Sequence, residues 1–150
     1  MSLPTDFLSA AHSAAGVRRA LEVGNVSSAD RIIAEMAARI LAASASECIP
    51  DFVFDEPESS GALEYDTLIA TVLAFSMIQR NLPPQAWMSS ATKLPAEWLW
   101  DGGYGGSLAF RDLIRRDTPA LFLEKNILLR PRDLIAPRRV NRRRTAPAGQ

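Results

Sequence analysis

Leu63-Glu64-Tyr65-Asp66-Thr67-Leu68-Ile69-Ala70-Thr71-Val72-Leu73-Ala74-Phe75-Ser76-Met77-Ile78-Gln79-Arg80 is the stretch on which the fold turns. Its apolar residues fall at three- and four-residue steps, but Tyr65, Leu68, Ile69, Val72, Leu73, Phe75 and Ile78 spread around much of the circumference. A helix apolar on most faces is buried on most faces, so this segment is the expected central element. Asn81-Leu82-Pro83-Pro84 ends it, because proline lacks the N–H and restricts the residue before it. Its longest uncharged apolar stretch, Thr67 to Ile78, is shorter than the roughly 18 residues needed to span a bilayer.

Toward the N-terminus, Ser28 to Leu41 carries a one-sided pattern. Ala29, Ile32, Ile33, Met36, Ala37, Ile40 and Leu41 share a face, while Asp30, Arg31, Glu35 and Arg39 fall mostly on the other. Ser27 or Ser28 is the expected N-cap, with Asp30 in the first turn suiting the positive end of the helix dipole. Before the break at Gly24-Asn25, Pro4 to Leu21 reads either as one helix kinked at Gly16 or as two short ones.

Between the two good helices, Glu47 to Asp66 holds seven acids and no base, broken by Pro50, Pro57 and Gly61. It reads as a connector anchored by Phe52 and Phe54. Beyond Pro84, all three tryptophans, Trp87, Trp98 and Trp100, lie in short pieces punctuated by Pro95 and four glycines, a segment expected to wrap the helical core. Ser107 caps a helix through Arg116, and Thr118-Pro119 opens another that ends at a left-handed Asn126. Ile127 to Leu129 is a short extended piece. The expected fold is therefore all-α, a small irregular bundle forming one domain over residues 1–137. Residues 138–150 have almost nothing to bury and read as a disordered basic tail.

Charge sharpens this division. The chain has 17 basic and 17 acidic residues, yet residues 130–150 hold seven arginines and one acid, Asp133, leaving residues 1–129 with ten bases and sixteen acids. An acidic body of charge −6 carries a basic tail of +6. One cysteine, Cys48, forms no intramolecular disulfide, and one histidine, His12, leaves no Cys/His cluster for zinc. With no basic, apolar leader pattern in Met1 to Leu8, a cytoplasmic protein is expected.

The chemistry-bearing residues favour binding over catalysis. Gly102-Gly103-Tyr104-Gly105-Gly106 lacks both a convincing preceding strand and a lysine at phosphate-loop spacing. The acidic connector matches no calcium loop, His12 has no positioned partner in sequence, and Cys48 sits among acids that disfavour a thiolate. No catalytic, metal or cofactor residue is assigned. Arg138, Arg139, Arg142, Arg143 and Arg144 place five charges in seven residues without an aromatic to stack on bases, the pattern of nonspecific, salt-sensitive contact with DNA or RNA.

A collinear set of segments carries a resemblance: Ala20-Leu21-Glu22-Val23-Gly24-Asn25, Glu56-Pro57-Glu58-Ser59-Ser60-Gly61, Tyr65-Asp66-Thr67-Leu68-Ile69-Ala70, Leu82-Pro83-Pro84-Gln85-Ala86-Trp87, Leu94-Pro95-Ala96-Glu97-Trp98-Leu99, and Thr118-Pro119-Ala120-Leu121-Phe122 with Asn126-Ile127-Leu128-Leu129. From Arg19 to Pro137 the chain resembles the helical C-terminal module of actinobacterial antitoxin-like proteins with a helix-turn-helix (XRE-type) domain, encoded beside nucleotidyltransferase-like toxins. Residues 1–26 are too short for a complete helix-turn-helix bundle, so operator binding is not carried over. Tyr65 stands where the family commonly has tryptophan, and Lys125-Asn126 where it has a basic residue and glycine. The resemblance implies a non-enzymatic module that neutralises a cognate toxin by direct contact. The expected contact residues are the acidic Asp51, Asp55, Glu56 and Glu58 or the aromatic Trp98, Trp100 and Tyr104.

Overall fold

The computed structural model describes residues 7–44, 46–100 and 111–134. The fold is all-α, and one cluster of buried side chains runs from Ala10 to Leu134. The expected boundary at Pro137 and the basic tail lie outside the described residues.

Helix α1 (Ala10–Glu22) is capped by Ser9, whose hydroxyl accepts the His12 N–H at 3.0 Å. It runs unbroken through Gly16, because the glycine serves packing. A Cβ there would stand 3.0 Å from Ile32 Cδ1, so the missing side chain lets α1 approach α2 (Val26–Ala42) closely. Gly24, at φ +74°, turns the chain between them. The cap of α2 is Asn25, which accepts the Ser28 N–H at 3.1 Å, rather than Ser27 or Ser28. A second correction concerns Asp30: it is 7% exposed and faces the core instead of the polar side.

Helix α3 (Leu63–Gln79) is the central element, buried at Tyr65, from Thr67 through Ala74 and again at Ser76 and Met77. It packs against α1, α2, α4 (Ala86–Ser89) and α6 (Ala120–Leu123). Two of its buried hydroxyls are satisfied within the helix, Thr71 donating to Thr67 O at 2.7 Å and Ser76 to Val72 O at 2.9 Å. Arg80, just past its end, serves α2: the guanidinium donates to Ala43 O at 2.9 Å, Ser44 O at 3.0 Å and Glu47 O at 3.0 Å. One planar fork thus satisfies the orphan carbonyls at the end of α2 and the start of the connector.

The connector forms a 3-10 turn, Asp51–Phe54, that buries Val53 and Phe54. Phe52, expected as a second anchor, is 60% exposed, because the tight turn sends its neighbours inward instead. Trp98–Leu99 (β1) is a strand after all, pairing in parallel with Ile127–Leu128 (β2). Asn126, at φ +67°, makes the expected left-handed turn before β2.

The helix expected to start at Ser107 is described as α5 (Arg111–Asp117), the residues before it lying outside the described set. Thr118 does not cap α6. Its buried hydroxyl donates to Ile114 O at 2.7 Å and accepts the Leu129 N–H at 3.2 Å, tying α5 to the segment after β2. A 3-10 turn, Pro131–Leu134, seats the fully buried Leu134 and packs on α2.

Candidate partner-binding groove

The acidic connector is held at both ends. At its C-terminal end Asp66, in the first turn of α3, reaches back: Oδ1 accepts the Ser60 N–H and the Ser60 hydroxyl, each at 2.7 Å, and Oδ2 accepts the Ser59 hydroxyl at 2.5 Å. The carboxylate sits where a helix dipole favours negative charge, so the same residue starts the helix and pins the loop. At the other end the Trp87 indole donates to Phe54 O at 3.0 Å and lies 3.2 Å from Gln85 Oε1.

Between these anchors Glu56, Pro57 and Glu58 pass over a groove of about 320 Å³. Thr67, Ile69 and Ala70 of α3 line it beneath, and Trp87 and Thr92 close the far side. Thr67 donates to Thr92 O at 2.7 Å, which holds that side against α3. The lining contains Glu56, Glu58 and Asp66 and no basic side chain.

Asp51, Asp55, Glu56 and Glu58 are all exposed, so the four expected acidic contact residues share one accessible strip, and Glu56 and Glu58 border the groove. The aromatic candidates fare differently. Trp98 is half-buried, edge-on to Tyr65 with ring centroids 5.2 Å apart. Trp100 is 2% exposed and donates through Nε1 to Asp30 Oδ1 at 2.9 Å. A ring inside the core is out of a partner's reach, so the structure removes Trp100 from the contact set. Tyr104 and Arg138, Arg139, Arg142, Arg143 and Arg144 lie outside the described residues.

Tyr65 completes the buried cluster, its hydroxyl donating to the same Asp30 oxygen at 2.6 Å. Burial first, then the hydrogen bond and charge of Asp30, push the Tyr65 phenol well above its ordinary range. At the surface, Arg115 hydrogen-bonds Glu97 and holds its carboxyl below the usual carboxylate range.

Among the described residues, no three His, Cys, Asp or Glu side chains gather as a metal site, and no helix is long and apolar enough to cross a membrane. Trp87, Ser59, Ser60, Asp66 and Thr92 were missed as parts of a site. Only the collinear segments containing Ser59, Ser60, Asp66 and Trp87 hinted at them, since the Thr67–Thr92 and Trp87–Phe54 contacts that shape the groove join residues distant in sequence. No known protein family, no curated protein and no solved structure matches the chain.

Proposed function

We propose that this chain is an antitoxin-like, protein-binding module that acts by contact rather than by chemistry of its own. Its partner is a cognate toxin of the nucleotidyltransferase-like class. The observation that carries this reading is the anchored acidic strip: Asp51, Asp55, Glu56 and Glu58 are exposed on a connector pinned by Asp66 and by Trp87. A cleft that handles nucleotide phosphates is basic, and a pre-ordered row of carboxylates complements it with little ordering cost. The −6 charge of residues 1–129 adds long-range attraction to the same partner.

Coexpression with the product of the adjacent gene tests the reading. A complex that co-elutes on a sizing column, together with restored growth, is the expected result. Separate elution with unrelieved toxicity would overturn it.

The +6 charge of residues 130–150 favours a second reading, nonspecific association with nucleic acid through Arg138 to Arg144. It predicts duplex binding that weakens steeply with salt and disappears when those arginines become glutamine. Undiminished binding by that variant would exclude it.

A further inference from the structure

We propose that Phe52 and the groove beside it are the apolar centre of the partner interface, receiving from the cognate toxin a segment that is apolar in its middle and basic on its flanks. This assignment rests on the partner reading above and names the residue that holds the complex together. The connector begins with four large apolar side chains, Ile49, Phe52, Val53 and Phe54. Three are buried, whereas Phe52 is 60% exposed and is the one aromatic among the exposed large hydrophobic side chains of the described residues.

A fixed backbone presents that ring. The Val53 N–H donates to Pro50 O at 3.1 Å and the Asp55 N–H to Phe52 O at 3.2 Å, closing the turn, while the Trp87 indole holds Phe54 O at 3.0 Å. An aromatic side chain on backbone that is already ordered is the kind of anchor that dominates interface energetics, because little further entropy is lost on binding. Its surroundings extend the apolar surface. With Pro50, Phe7 and Leu8 it walls a groove of about 520 Å³, beside His12 and Arg39. Arg39 lies 3.8 Å from the Glu35 carboxylate, which offsets its charge.

Charge selects the occupant. Asp51 and Asp55, both exposed, flank Phe52 in the chain, and residues 1–129 sum to −6. Two such bodies repel each other, which disfavours a second copy. A basic partner is attracted, and its charged side chains meet Asp51 and Asp55 while the apolar one between them packs on the ring. The two contributions differ in kind: the acids speed association and are screened by salt, whereas the buried ring slows dissociation and is not.

The test measures association and dissociation rates between the full chain and the product of the adjacent gene, at low salt and at about 0.5 M salt, where the screening length is ~4 Å. Phe52→Ala should weaken binding about thirtyfold or more at both salt concentrations, chiefly through faster dissociation. Asp51→Asn with Asp55→Asn should slow association at low salt and match the wild type at high salt. Ile78→Ala, an exposed apolar side chain on another part of the surface, should leave both rates unchanged. Urea midpoints equal to the wild type show that Phe52→Ala is folded. A wild-type complex that Phe52→Ala weakens by less than about threefold, or that Ile78→Ala weakens equally, would overturn the proposal and leave the partner reading standing. A dimer of this chain alone that Phe52→Ala converts to monomer would assign the groove to a second copy and overturn it likewise. Absence of a wild-type complex removes the partner reading and this assignment with it.

Discussion

The Tyr65 hydroxyl and the Asp30 carboxylate meet at 2.6 Å across 35 residues of sequence, joining the first turn of α3 to α2. Trp100 Nε1 reaches the same oxygen from 70 residues away, so one buried carboxylate gathers two helices and β1's flank. A charge taken out of water is tolerated only when donors surround it. This cluster is accordingly a place where small changes have large effects.

Tyr65→Phe removes one donor to that buried carboxylate and keeps the ring. Urea denaturation should show a loss of about 1.5–3 kcal/mol, the range for a hydrogen bond to a charged group. A loss below about 0.5 kcal/mol would mean that the hydroxyl contributes nothing to stability.

The raised pKa of Tyr65 also has a consequence for alkaline stability. The folded state holds the phenolic proton more tightly than the unfolded chain, whose tyrosines titrate near 10. The contribution is complete below about pH 10 and falls by ~1.4 kcal/mol per pH unit above it. Denaturation midpoints measured from pH 9 to 11 should therefore fall more steeply for the wild type than for Tyr65→Phe, and parallel curves would contradict the assignment.

Arg80→Lys should destabilise nearly as much as Arg80→Ala, by about 2–3 kcal/mol, since an ammonium does not reproduce a fork shared among the Ala43, Ser44 and Glu47 carbonyls. Amide hydrogen exchange in the last turn of α2 reports the local effect. Full rescue by lysine would show that charge alone suffices.

Thr118→Val leaves the buried Leu129 N–H without its acceptor and should cost about 1–3 kcal/mol, while Thr118→Ser keeps the bond and most of the stability. Thermal unfolding distinguishes the two. Equal Tm values for both variants would place the contribution in the methyl group instead.

Glu56→Lys combined with Glu58→Lys alters two exposed side chains and should leave stability within about 0.5 kcal/mol. On the proposed function, the same pair weakens binding of the partner toxin at least tenfold, with most of the difference from wild type removed at high salt. Calorimetry at two ionic strengths checks both expectations.

Periodicity alone determined that the chain is helical, that α3 lies at the centre and that the connector presents acids to solvent, because those properties follow from spacing and composition within a single turn or segment. It could not place Asp30, whose expected position in a first turn suits a dipole partner as well as a buried acceptor, whereas α2 starts earlier, at Val26. Only donors brought from Tyr65 and Trp100 decide between the two. Trp98–Leu99 escaped notice for a related reason: a two-residue strand has no period, and its ladder partner lies beyond α5 and α6. The groove beside Trp87 belongs to the same category. Its walls come from the connector, α3 and the stretch after α4, and their convergence depends on long-range hydrogen bonds and core packing that no local pattern encodes.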